Sequence, residues 1–396
     1  MRVSKPTPVE VQWIPADRHP QLAADWADME ARAETSPFSS WAWASTWLGH
    51  IPDDCQPLVF RATDEQGLLG LALLVRSPAR DLRRRLGGSV LYLQETGDSN
   101  IDRLTLEYGG LLARRGEEES AYAAFLAGLT KMRHWRSLRI SASTHTQHVL
   151  AALPRRLLAY CAQRRPSYLV DLDAVRATQR GYIDSLASSN TRHKLRRTLR
   201  GYGAHGEVRM EVAEQPEQAL AYLDELTHLH EKYWESKGRK GSFGDRFFRD
   251  FHRDFIGKHA ATGLAQLSCI RAGELVVGYC YHLVWKNRVY YYNSGLNYGA
   301  LQRHDQPGYL AHLAAIENYL AQGRASYDFL AGESNYKRAL STHANTMDWI
   351  VIKPRGWQLA ADHALALLGA RKRSVQALTL PGNVDWFAAK NDDIDA

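Results

Sequence analysis

Residues 327–338 read Tyr327-Asp328-Phe329-Leu330-Ala331-Gly332-Glu333-Ser334-Asn335-Tyr336-Lys337-Arg338. A short apolar strand runs into a glycine turn here, and the turn gathers an acid, a tyrosine and a lysine in one place. A helix-like segment that stops at Gly323 precedes it. Helix, strand, turn and charge in that order are what open α/β sheets use to build a cleft at their strand ends. The stretch predicts an α/β fold, a mixed central sheet flanked by helices, with a site where this strand stops.

Working outward, a helix over 308–322 precedes the motif, and strands at 266–270, 275–285 and 288–294 precede that helix. The last two form a hairpin over Lys286-Asn287. Further upstream lie a helix from about 178 that stops at Gly201 or Gly203, a strand at 208–212, and helices at 216–236 and 243–259. The last of these sets Phe247, Phe251 and Phe255 one turn apart.

The first half has a strand at 9–14, a helix at 21–33, and an aromatic segment at 37–48 in which Trp43, Trp47 and Leu48 share a face. Strands at 58–62 and 68–76 close on Asp64-Glu65-Gln66-Gly67, followed by a helix at 117–133, a strand at 137–141 and a short helix near 145–153. An arginine-rich, linker-like stretch at 154–166 separates the halves. Each half shows helices, a strand hairpin, a helix and a strand, so element order points to a duplicated domain although no repeat is visible residue by residue. The domains expected are 1–160, 161–356 and a C-terminal helix and tail at 357–396. In that tail Trp357, Ala361, Leu365 and Leu368 line one face ahead of Arg371-Lys372-Arg373.

At 396 residues, 45% hydrophobic and 23% charged, the chain has material for about two cores. No run approaches the roughly 18 apolar residues of a membrane span, and Met1-Arg2-Val3-Ser4-Lys5-Pro6 leads into no apolar signal core, so a cytoplasmic protein is expected. Cys55, Cys161, Cys269 and Cys280 are scattered without C-x-x-C or metal spacing and read as reduced, mostly buried thiols, with no metal expected. A net charge of +7 suits an anionic partner: coenzyme phosphates, tRNA, an acidic polymer or a lipid headgroup surface, with DNA not expected.

Several side chains carry candidate chemistry. On the hairpin, Tyr279 and Tyr281 share one face as sheet packing, Cys280 and His282 the other, and Tyr292 offers a phenol as proton donor. The polar loop Gln302-Arg303-His304-Asp305-Gln306-Pro307-Gly308 enters a helix whose free N–H groups suit phosphate or carboxylate, Arg303 adding a forked donor. Arg192, Arg196 and Arg200 make a basic helical stripe, with Lys194 and Arg197 beside it, and favour contact with an anion.

Taken together, Tyr291-Tyr292-Asn293-Ser294-Gly295, the Pro307-Gly308 helix start, the helix ending at Gly323 and the Asp328-Phe329-Leu330-x-Gly332-Glu333-x-x-Tyr336-Lys337-Arg338 motif resemble the BioF2-like acetyltransferase family. That family includes the CelD-type proteins, belongs to the GNAT superfamily and is related to the Fem peptidyltransferases, which carry two GNAT-like domains. The basic helix and residues 37–47 also look like it, so the resemblance covers about 37–355. It implies acyl transfer in a ternary complex from acyl-CoA to a primary amine of a cell-envelope molecule. Acceptors of that class are amino sugars of exopolysaccharide and long-chain amino-lipids such as the sphingoid base of bacterial ceramide synthesis, with peripheral contact at the inner membrane in the lipid case.

By position, 302–308 corresponds to the superfamily's pyrophosphate loop, making Arg303, His304 and Gly308 donor-binding, with Arg196 nearby. Only Gly308 and a basic residue of that loop's pattern remain, so a Fem-like aminoacyl-tRNA donor stays open, as does a non-catalytic ligand-binding module. The resemblance implies Glu333 as general base and Lys337, matching a lysine of the Fem enzymes, as holder of an oxyanion or phosphate. Asp328 would anchor the turn, Tyr336 would pack near the acceptor, and His282 and His304 are reserve bases.

Overall fold

In the computed structural model, which describes residues 8–77, 88–301 and 305–355, the chain divides into two units. The first takes 8–44, 51–164 and 347–355, and the second takes 45–50 and 165–346. In chain order the elements begin with β1 (Glu10–Pro15), α1 (Leu22–Arg32), α2 (Trp41–His50), β2 (Leu58–Asp64), β3 (Gly67–Arg76), β4 (Ser89–Leu93) and β5 (Leu112–Ala113). Next come α3 (Glu118–Lys131), β6 (Trp135–Ser143), α4 (Thr146–Ala151), β7 (Leu157–Asp171), α5 (Leu172–Thr178), α6 (Tyr182–Ser185) and α7 (Ser189–Gly203). The remainder are β8 (Val208–Val212), α8 (Pro216–Ser236), α9 (Arg246–His259), β9 (Ala265–Ala272), β10 (Leu275–Trp285), β11 (Arg288–Leu296), α10 (Pro307–Ala321), β12 (Ser326–Ala331), α11 (Asn335–Leu340) and β13 (His343–Pro354).

Both units are wound the same way. In the first, β1, β2, β3 and β4 are antiparallel neighbours, β4 pairs with β6 in parallel, and β6 pairs with β13 antiparallel. In the second, β8, β9, β10 and β11 are antiparallel neighbours, β11 pairs with β12 in parallel, and β12 pairs with β7 antiparallel. A parallel pair needs a crossover long enough for a helix. That helix is α3 in the first unit and α10 in the second.

Composition explains why these helices seat there. α3 (Glu-Glu-Ser-Ala-Tyr-Ala-Ala-Phe-Leu-Ala-Gly-Leu-Thr-Lys) buries Tyr122, Phe125, Leu126 and Leu129 against Phe60, Leu138 and Ile350. α10 starts at Pro307, whose fixed φ suits a first turn, and buries Leu313, Ile316 and Tyr319 against Val289, Tyr327 and Phe329. Each large apolar side chain so buried contributes about 1.5–3 kcal/mol.

Two expectations change. The stretch 154–166 is not a linker: β7 runs unbroken from Leu157 to Asp171, and its half-buried pattern with Arg164 and Arg165 outward hides the strand signal. The helix expected from about 178 is two pieces, α6 and α7, and α5 ends at Thr178, where that helix is expected to begin. The chain leaves the helical course at Gln179 (φ 57°) and Gly181 (φ 78°), and α7 restarts on Ser188, whose hydroxyl accepts from the Thr191 N–H. Among the described residues no helix is long and apolar enough to cross a membrane. The helix expected at 357–368 with its trailing cations, Arg303 and His304 lie outside the described residues.

Candidate active site at a strand wedge

The parallel pairing of β11 and β12 covers only Arg288↔Ser326, Val289↔Tyr327 and Tyr290↔Asp328. Beyond it β11 follows β10 as far as Leu296, while β12 follows β7 to Ala331↔Ser167. The strands therefore part into a wedge. Each side of the wedge carries a bulge: Tyr292 is extra between Tyr281↔Asn293 and His282↔Tyr291, and Phe329 and Leu330 together face Tyr168. Bulges of this kind bend and twist a strand, which turns the two ends away from each other. Gly295, at the open end, lets α8 cross closely, since a Cβ there would lie 2.1 Å from the Leu226 carbonyl oxygen.

α10 begins at the mouth. Gly308 packs on the end of β11, where a Cβ would stand 3.4 Å from Leu296 Cδ1. Its N-cap, Gln306, makes no side-chain cap, and among the described residues no side chain accepts from the first-turn N–H groups, so they and the positive end of the helix dipole suit an anion. Lys194 of α7 stands over the Tyr309 ring, 3.8 Å from its centroid, which puts a cation beside that first turn. Tyr202 of α7 donates to Asp305 Oδ1 at 2.6 Å and ties down the approach to the helix. Arg196 instead pairs with Asp184, and Arg192 donates to the carbonyls of Leu186 and Ala187.

Around the motif, buried Asp328 accepts from the Leu330 N–H at 2.7 Å and the Ser167 hydroxyl at 3.3 Å, which fixes the bulge. The Lys337 ammonium donates to the carbonyls of Ala331 (2.8 Å) and Leu330 (3.3 Å), so it closes the strand end. Glu333 is half exposed, paired with Arg338, and accepts from the Tyr168 hydroxyl at 3.3 Å. Tyr336 lies stacked on His312 at 5.2 Å and 14°, and burial pushes its phenol up.

Beneath the wedge the Tyr327 hydroxyl sits 3.1 Å from His282 Nε2 and 3.0 Å from His312 Nδ1. Burial pushes both imidazoles down to about 3, so both are neutral at pH 7 and His282 is a weak base. On the opposite face Tyr292 bonds His252 Nε2 at 3.0 Å, again with a neutral imidazole pushed down to about 3 by burial. Burial also pushes the Cys280 thiol up to about 12, which suits packing rather than nucleophilic chemistry. Among the described residues no group of three or more His, Cys, Asp or Glu could hold a metal.

Sequence reasoning names Lys194 among the anion-contacting cations of the basic helix without placing it beside the helix start, and it misses the roles of His312 and Tyr327 beneath the wedge. His312 lies on the buried face of an apolar helix, where a polar residue was the one signal to find it.

Residues 189–338 match the family model of the acetyltransferase (GNAT) domain. This stretch is a GNAT-type acyltransferase domain. It runs from the first residue of α7 into α11 and holds the whole wedge, and the first unit repeats its strand order, so the fold is two GNAT-like units in tandem. The chain is similar in structure to FemX, at a TM-score of 0.55 and 11% identity, over 91% of this chain and 99% of that one. L-PGS from Bacillus licheniformis follows at 0.50 and 12%, over 88% and 97% of the two chains. A conserved protein of unknown function from Bacteroides thetaiotaomicron VPI-5482 reaches 0.50 and 10%, over 84% and 97%. At such identities the likeness concerns the fold. No curated protein matches the sequence.

Proposed function

We propose that the second unit transfers an acyl group from an acyl-CoA thioester to the primary amine of a cell-envelope molecule, an amino sugar of an exopolysaccharide or a long-chain amino-lipid such as a sphingoid base. The observation that carries this reading is the wedge with an uncapped helix start and Lys194 at its mouth. Donor phosphates sit on the α10 amides beside Lys194, and the amide-bearing arm runs into the wedge between β11 and β12.

The acceptor, an amine of pKa near 10, gives its ammonium proton to solvent before its nitrogen attacks the thioester carbonyl, and the nitrogen sheds a second proton as the amide forms. Glu333 takes that proton, the C–S bond breaks, and the departing thiolate is protonated from solvent. The developing oxyanion needs a hydrogen-bond donor, a contribution typically worth about 3 kcal/mol. Lys337 and Asp328 hold the turn that presents Glu333.

The test is incubation of purified protein with labelled acyl-CoA and either sphinganine or a glucosamine oligomer. Transfer to either supports the reading and chooses the acceptor. Activity that needs charged tRNA and disappears with RNase moves the donor to aminoacyl-tRNA. Binding of acyl-CoA without transfer to any amine sinks the enzymatic assignment and leaves a ligand-binding module.

A further inference from the structure

The first unit contains a wedge of its own. β4 and β6 are paired from Ser89↔Trp135 to Tyr92↔Arg139 and then separate. β6 bears the same two-against-one bulge, Ser141 and Ala142 facing Trp349 between Ile140↔Ile350 and Ser143↔Asp348. Where the strands part lies a recess of about 350 Å³ whose lining includes Tyr92, Glu95, Asp102, Arg139, Ser141 and Trp349.

The chemistry of that recess is uneven in charge. Glu95, two residues past the end of β4, takes the Ser141 hydroxyl on Oε2 at 2.6 Å, and its Oε1 has no hydrogen-bond partner among the described residues. Asp102 spends both oxygens on the Thr96 and Gly97 N–H groups, at 2.8 and 2.7 Å, so it supplies charge rather than a free acceptor. Arg139 lies over the Tyr92 ring at 5.9 Å and forms no ion pair with Glu95. Two carboxyl groups thus stand against one guanidinium, with an aromatic side chain in the wall from β4 and another from β13.

We infer that this recess is a second ligand site, which takes a small primary amine as its ammonium ion, with Glu95 as counter-ion and Tyr92 and Trp349 as the aromatic surfaces beside the cation. The inference does not depend on acyl transfer in the second unit.

Proton balance makes the site pH-sensitive. Burial and the neighbouring Asp102 charge push Glu95 up to about 8, against the pull of Ser141 and Arg139. Without a cation beside it, the carboxyl is mostly protonated at pH 7. Binding of R–NH3+ favours the carboxylate, so one proton leaves Glu95 for solvent as the ion pair forms. Below pH 8 the observed affinity then rises about tenfold per pH unit, and it levels off above.

Calorimetric titration of the full chain with 3-amino-1-propanol tests this, with 1,4-butanediol as a neutral analogue of similar size. The amine is expected to bind and the diol not to. Affinity should climb about tenfold between pH 6 and 7, with close to one proton released at pH 7 by comparison of phosphate and HEPES buffers. Glu95→Gln, which can still accept from Ser141, should lose at least about tenfold in affinity together with the pH dependence. If that variant folds poorly by circular dichroism, Ser141→Ala serves instead: loss of the hydroxyl moves the affinity rise to higher pH. No amine binding at pH 8, equal affinity in Glu95→Gln, an unmoved profile in Ser141→Ala, or uptake of acetate on Arg139 in place of the amine would each overturn the inference.

Discussion

Leu330 and Ala142 occupy the same place in the two units: each is the second residue of a two-against-one bulge beside a parting parallel pair, at φ 64° and 42°. Neither is glycine, and a left-handed conformation costs a residue with a Cβ about 1–2 kcal/mol. Both units hold the bend against that cost, because it is what opens their wedges.

Substitution at Ala142 separates backbone cost from packing, since only a methyl group is at stake. Ala142→Gly should leave stability unchanged or raise it by up to about 1 kcal/mol. Ala142→Val should lower it by more than about 2 kcal/mol, because a β-branched side chain tolerates this conformation poorly. Urea denaturation of the two variants checks the pair, and equal stability of both would remove the bulge as a strained feature.

Buried histidines set the acid limit of the fold. Burial pushes His252, His282 and His312 to about 3, against 6.5 for the ordinary imidazole, so the folded state binds fewer protons than the unfolded chain between those values. Stability is therefore fully present above pH 6.5 and falls as pH drops from 6.5 toward 3, by up to about 1.4 kcal/mol per unit for each histidine. Urea midpoints at pH 7, 6 and 5 should show this slope before most carboxylates titrate. His312→Gln should reduce it by about one proton, and an unchanged slope would mean that His312 is solvated.

The motif at 327–338 is legible in sequence because strand, glycine and charged groups are contiguous, and α10 is legible because its apolar run is bracketed by Pro307 and Gly323. Partner-dependent features are not. β13 is a strand by virtue of its pairing with β6, and β7 shows no clean alternation because so many of its residues are only half buried. The bulges at Leu330 and Ala142 carry no glycine to announce them. On α7 the arginine stripe is easy to see, but the burial of Leu195, Thr198 and Tyr202 determines which face packs, and that brings Lys194 to Tyr309 and leaves Arg196 to Asp184.

That exchange of cations predicts a contrast in donor binding. Lys194→Ala should raise the KM for acyl-CoA about tenfold at low salt while kcat changes little, since a lost phosphate contact weakens ground and transition states alike. Arg196→Ala should leave KM within about twofold, because this side chain is exposed and already paired. Steady-state kinetics at two ionic strengths decides, and the opposite ranking would put the phosphates on the other face of α7.

Glu333 and Lys337 lie four residues apart but hold different kinds of partner, and their variants should fail differently. Glu333 is half exposed, bonded to Tyr168 and Arg338, so Glu333→Gln should keep the fold and lower kcat by about 100-fold through loss of the base. Lys337 donates to the Ala331 and Leu330 carbonyls, so Lys337→Met removes that donor from the strand end and should lower the melting temperature and kcat together. Thermal melts beside kinetics separate the two outcomes. A Glu333→Gln enzyme with near wild-type kcat would remove Glu333 from proton transfer, and a Lys337→Met enzyme with unchanged melting would mean that its ammonium serves the reaction rather than the turn.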